Sequence, residues 1–226
     1  MSLISAAAMT AAFDAAVSVV FGHEGGFALH ADDPGGATKF GITQATLAAW
    51  RKRPVTVDDV RSLSRLEAKR IYRARYWRGT GAELCAEFGR PRLALQQLDW
   101  AVNGGPKARW YLQAALNAVA DVGARPLVVD GIHGPATRAA LQALDEPDEL
   151  AACDAYGRYR WAHHRIRAAV GTAADVALLD EARIPQRLRP RPNPDVRRWL
   201  DVWGNRLHEN AIACGLSPFP LKPYDS

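Results

Sequence analysis

The chain is poor in cysteine. Cys85, Cys153 and Cys214 are the only three in 226 residues, and they lie far apart with no Cys-x-x-Cys pair. An odd, scattered set supports neither a disulfide framework nor a cysteine zinc site. The three read as small buried apolar residues of a chain folded in a reducing compartment. Long apolar runs are also missing: none approaches the roughly 18 residues of a membrane span. The stretch Ser2–Phe21 is rich in Ala and Val, but it has no basic leader and Asp14 interrupts it. It reads as an amphipathic first helix rather than a cleavable signal peptide, a membrane-associating segment being the alternative. Charge of one sign is weak too. Lys plus Arg is 29 against 24 Asp plus Glu, a net +5 with an isoelectric point of about 9.3. That suits attraction to a polyanionic surface and is too mild to indicate nucleic acid. β-branched runs are short, and no repeat at solenoid spacing occurs.

What remains is a helical chain with 48% hydrophobic residues, enough for a real core. Thr10 is placed to cap a first helix running to about Glu24, with Phe13, Val17, Val20 and Phe21 at three- and four-residue steps, and Gly25-Gly26 stops it. Phe27 to Phe40 holds Asp32-Asp33-Pro34-Gly35-Gly36 and reads as a loop or strand-turn excursion. Thr43 can cap a helix carrying Leu47 and Trp50, and Thr56 a short one after Pro54. Ser64 to Trp77 reads as an amphipathic helix with Leu66, Ile71 and Tyr72 on one side. Pro91 opens a helix ended by Asn103-Gly104-Gly105, and Pro106 the next, to about Val122. Further helices are expected over Pro135 to Leu144, Asp148 to Ala169, and from an Asp195 cap through Trp199, Trp203 and Leu207. Thr172 to Pro194, with four prolines among arginines, reads as an exposed loop.

The chemistry starts at Glu24. It stands at the expected C-terminal end of a helix, where the dipole disfavours an anion, and partial burial beside Phe21 or Phe27 would act the same way. A carboxylic acid kept protonated near neutral pH is what a general acid needs. Its bland alternative is an exposed helix-end residue. Asp33 and Thr38 follow across a glycine-rich segment that can fold back, bringing two carboxyls and a hydroxyl to one cleft. Hydrolysis of a glycosidic bond with inversion needs an acid on the leaving oxygen and a second group that activates water on the far face. Taken singly, Asp33 is also an Asp-Pro turn residue and Thr38 a structural one. Gln44 could point into the cleft, and Asn103 could face the groove or simply cap its helix.

Metal and phosphate signals are absent. His163-His164 are adjacent and diverge by about 100° on a helix, unlike an i, i+4 ligand pair. His23-Glu24 lacks the second His of a zinc-protease helix, and Gly35-Gly36 lacks the Gly-Lys-Ser/Thr of a phosphate loop. Cys85 has no local base partner, and no metal or organic cofactor is expected. Trp50, Trp77, Trp100 and Trp110 read as core, though one could floor a sugar groove.

Four ordered segments carry a specific likeness: Gly22-His23-Glu24-Gly25-Gly26-Phe27; Asp32-Asp33-Pro34-Gly35-Gly36-Ala37-Thr38-Lys39-Phe40-Gly41-Ile42-Thr43; Tyr72-Arg73-Ala74-Arg75-Tyr76-Trp77; and Asp99-Trp100-Ala101-Val102-Asn103-Gly104-Gly105-Pro106. Together they resemble the N-acetylmuramidases of glycoside hydrolase family 108. The resemblance implies an all-α, lysozyme-like catalytic domain over residues 1–106, with Glu24 as catalytic acid. The spacing also resembles the Glu/Asp/Thr arrangement of phage-type lysozymes, which implies Asp33 and Thr38 as its helpers. Phe27 and Phe40 stand where the family usually has Tyr, so two hydroxyls are missing there; Phe40, Gln44 and Asn103 are the substrate-binding candidates. Val129-Asp130-Gly131-Ile132-His133-Gly134-Pro135-Ala136-Thr137 resembles the core of a predicted peptidoglycan-binding region. It would make residues 107–226 a small helical region packed on the first, with the Pro/Arg-rich loop at 172–194; a purely structural helix-turn-helix is the alternative.

The activity implied is hydrolysis of the β-1,4 bond between N-acetylmuramic acid and N-acetylglucosamine in peptidoglycan, by a monomer without nucleic acid or stable membrane insertion. A cytoplasmic product lacking a signal peptide would need a holin or another export route to reach the wall, as a phage or prophage endolysin does. The rivals are a lytic transglycosylase acting on the same bond and a non-catalytic peptidoglycan-binding protein.

Overall fold

The computed structural model describes residues 4–23, 26–29, 36–120 and 125–217. Among the described residues the regular structure is helical apart from one small hairpin and an isolated bridge, so the all-α, lysozyme-like expectation holds. The helices are α1 (Ala6–His23), α2 (Gln44–Arg51), α3 (Val57–Arg61), α4 (Arg65–Tyr72), α5 (Ala82–Glu87), α6 (Pro91–Gly104), α7 (Ala108–Ala118), α8 (Pro135–Ala143), α9 (Glu146–Arg167), α10 (Ala173–Glu181) and α11 (Leu200–Ala213). Strands β1 (Thr38–Lys39) and β2 (Ile42–Thr43) pair antiparallel.

Local chemistry sets most boundaries. Thr43, Thr56 and Ser64 each accept a backbone N–H two or three residues into the helix that follows, and Thr56 completes a capping box with Asp59. Helix α1 starts earlier than Thr10 suggests, because Ser5 Oγ accepts from the Ala8 N–H at 3.2 Å while Thr10 bonds back to the Ala6 carbonyl. Its buried residues Phe13, Ala16, Val17, Val20 and Phe21 form one stripe against α5 and α6. At 18 residues and mean hydropathy 1.3, α1 is nonetheless long and apolar enough to cross a membrane. Counting unbroken runs missed this, since an averaged window tolerates Asp14.

The centre of the molecule is α6, which packs against α1, α5, α7 and α9. It is buried on every face from Leu93 to Ala101, so its polar side chains need internal partners. Gln97 Oε1 accepts from the Tyr156 hydroxyl at 2.5 Å, and Gln96 Oε1 from Arg160 at 3.1 Å. Asp99 accepts from Arg160 at 2.5 Å and from Arg206 at 2.6 Å. Pro91 opens α6, and Arg90 before it gives no side-chain cap. Glu149 of α9 supplies the missing acceptor, taking the Arg92 and Leu93 N–H groups at 2.8 and 3.2 Å. One hydrophobic core therefore runs from Phe13 of α1 to Cys214 after α11, with Trp77 and Trp100 fully enclosed in it.

Several elements differ from the sequence reading. Ser64 to Trp77 is not one α-helix: α4 gives way to a π-helical turn over Arg73–Trp77. Leu66 is 61% exposed, because the buried stripe is Ala68, Ile71 and Tyr72. The 172–194 stretch is not a continuous loop. Thr172 and Asp175 form a capping box that starts α10, and Leu179 is buried beneath it. The last helix is not capped by Asp195; Asn193 accepts the Asp195 N–H to begin a 3₁₀ turn over Pro194–Trp199, and α11 follows.

Candidate active site

The C-terminal end of α1, the β hairpin and the end of α6 converge on one open groove. Its walls are His23, Gly26, Phe27, Ala28, Thr38, Gly41, Val102 and Asn103, around about 490 Å³. That volume lies in the range of small-ligand clefts.

The hairpin places Thr38. Thr38 pairs with Thr43 and Lys39 with Ile42, leaving Phe40-Gly41 as a two-residue loop. Both loop residues have positive φ, +52° and +67°, as a type I′ turn demands. Gly41 adopts this freely, whereas Phe40 is strained. Packing holds Phe40 there: its ring stacks on Phe21 at 5.3 Å, and its carbonyl accepts the Tyr72 hydroxyl at 2.9 Å. On the other side, Thr38 exchanges two backbone hydrogen bonds of 2.9 Å with Ala28. Thr38 is thus tied on both flanks and sits on the groove wall.

Asn103 faces the same groove from the end of α6. Its Nδ2 donates to the Asp99 carbonyl at 3.0 Å; the helix is capped by Gly105, not by Asn103. Gln44 stands apart. Its Nε2 donates to the Val55 carbonyl at 2.7 Å, and neither it nor Phe40 is among the groove's lining residues. Glu24 and Asp33 lie outside the described residues. In sequence, Glu24 follows groove-lining His23, and Asp33 falls between Ala28 and Thr38, which pair at the groove.

The sequence marks His23 only as an incomplete metal motif, yet both of its ring nitrogens are held. Its Nδ1 lies 2.8 Å from Glu209 Oε2 and its Nε2 lies 3.1 Å from Asn210 Oδ1. Nothing in the local pattern could reveal this, because the partners are some 190 residues away in sequence. None of Trp50, Trp77, Trp100 and Trp110 lines the groove. Among the described residues, no group of three or more His, Cys, Asp or Glu could hold a metal ion. Beneath the groove, burial works to raise the Asp99 carboxyl, but the charges and hydrogen bonds of Arg206 and Arg160 outweigh it and hold the group below the usual carboxylate range.

Comparison with known proteins fits this geometry. Residues 7–105 match the model of a family described as glycosyl hydrolase 108. A solved structure, "Structure of Brucella abortus SagA", is 26% identical, with a TM-score of 0.58 over 94% of this chain and 99% of that one. No curated protein matches the chain.

Proposed function

We propose that the protein is a peptidoglycan-hydrolysing glycoside hydrolase that cleaves the β-1,4 bond between N-acetylmuramic acid and N-acetylglucosamine, a reading supported by the match of residues 7–105 to the glycosyl hydrolase 108 family. Glu24 protonates the leaving glycosidic oxygen. Asp33 and Thr38 hold and activate the attacking water on the opposite face of the sugar. Asn103 offers a carbonyl oxygen to an acetamido N–H or a sugar hydroxyl, while Phe40 acts through the turn that fixes Thr38, and Gln44 through its tie to Val55.

The observation that supports this most is the shared groove. Thr38 and Asn103, from distant parts of the chain, line one cleft that begins at the residue before Glu24. A neutral carboxyl there is favoured by the negative end of the α1 dipole. The +5 net charge assists approach to an anionic wall. The turn at Asp130-Gly131 and the helices after it are proposed to assist wall binding. The setting proposed is an endolysin-like one, in which the protein reaches the wall through a holin-type lesion or another export route.

Digestion of purified peptidoglycan followed by mass analysis of the ends tests the reaction. Hydrolysis leaves reducing N-acetylmuramic acid. Products one water lighter would show ring closure by a transglycosylase and overturn the water-activating role of Asp33 and Thr38. Glu24→Gln is expected to abolish turnover while leaving the fold intact. An undigested wall with retained sedimentation of the protein would mean binding without catalysis.

A further inference from the structure

We propose that α11, which lies outside the family-matched stretch, is a working part of the catalytic end of the molecule: Glu209 and Asn210 are positioning residues that clamp His23 and thereby aim the chain leading into Glu24. The inference rests on Glu24 being the general acid.

His23 is the last residue of α1, and its side chain is only 6% exposed. Two contacts, one to each ring nitrogen, fix both where the imidazole sits and how it is rotated. One of the two partners, Asn210, is wholly buried; the other, Glu209, is 61% exposed, so its carboxylate remains hydrated while it holds the ring.

The surrounding sequence explains why a clamp is needed. Gly22 precedes His23, and Gly25-Gly26 follow Glu24. Glycine in a helical turn weakens it by about 1 kcal/mol relative to alanine. Glu24 therefore has His23 on one side and a glycine on the other, and His23 is the neighbour whose side chain is held from a separate helix. General-acid catalysis is sensitive to placement, and a displacement of about 1 Å can cost about 100-fold in rate. Holding His23 from a separate helix supplies the rigidity that the local sequence withholds.

The test uses the full chain with Glu209→Ala, Asn210→Ala and Glu209→Gln, read by steady-state kinetics on peptidoglycan fragments and by amide hydrogen exchange. Both alanine variants are expected to lower kcat by about 10-fold or more with little change in KM. Exchange should quicken in the last turn of α1 and not across the molecule. Glu209→Gln, whose amide oxygen still accepts from Nδ1, should recover most of the rate. Wild-type kcat in both alanine variants would overturn the proposal, and so would a rate loss accompanied by faster exchange throughout the fold. A wild type that leaves peptidoglycan intact would defeat the proposed chemistry instead. The exchange measurement then still decides the clamp, because unchanged protection at the end of α1 removes it.

Discussion

The Tyr111 hydroxyl lies 2.6 Å from His163 Nδ1, with both side chains sealed inside the helical core. The imidazole accepts this bond as a neutral ring. Burial, then the charges of Lys107, Arg167 and Arg160, push His163 down to about 3. Adjacent His164 is lowered by burial first, then by His163 and the same arginines. An unfolded histidine protonates near 6.5. Between pH 6.5 and 3 the unfolded chain therefore binds a proton at His163 that the folded one refuses, and stability falls as pH falls, by up to about 1.4 kcal/mol per pH unit from His163, with His164 acting in the same direction. Denaturant unfolding at a series of pH values from about 7 to 5 should show this loss. His163→Gln, which keeps an acceptor for Tyr111, should flatten the slope by about one proton. A flat profile in the native protein would contradict neutral burial.

Glu149 should be a large single contributor to stability. Its carboxylate serves two N–H groups at the start of α6 from another helix, and it is 2% exposed. Glu149→Ala leaves those donors unpaired in the core and is expected to cost about 3 kcal/mol in guanidinium unfolding. Glu149→Gln keeps one acceptor oxygen and should lose less.

Gly131 cannot be replaced without strain. Its φ is +79°, and a Cβ there would meet the Trp110 indole at 2.7 Å. Gly131→Ala should lower stability by about 1–3 kcal/mol, measured as a shift in thermal midpoint.

Thr172→Ala removes the capping box of α10 and should cost about 1 kcal/mol. Because the site is near the surface, the sharper readout is local: limited proteolysis should shift to the 173–184 region while the rest of the chain resists.

The first half of the fold was legible wherever one side chain does the work. Thr43 and Thr56 cap the helices they were expected to start, and Pro91 starts its helix, since these rules involve only neighbours in sequence. Helix α5 carries no local signal, because Gly81, at φ +107°, enters it with no capping side chain. Helix α10 was hidden by the prolines downstream of it, which dominated the composition while Thr172 and Asp175 carried the boundary. At the groove, Thr38 and Asn103 could be singled out by type and motif. The roles of Glu209, Asn210 and Glu149 could not, because each acts across a gap of at least 56 residues that no window spans.

The salt-linked Asp99, Arg160 and Arg206 come from α6, α9 and α11, so one carboxylate in the family-matched stretch is neutralised by two arginines that lie beyond it. A chimera that joins residues 7–105 to a foreign partner would strand that carboxylate without its counterions. Cutting the chain there therefore means carrying the arginine-bearing helices along, or replacing Asp99 by an apolar residue of similar volume.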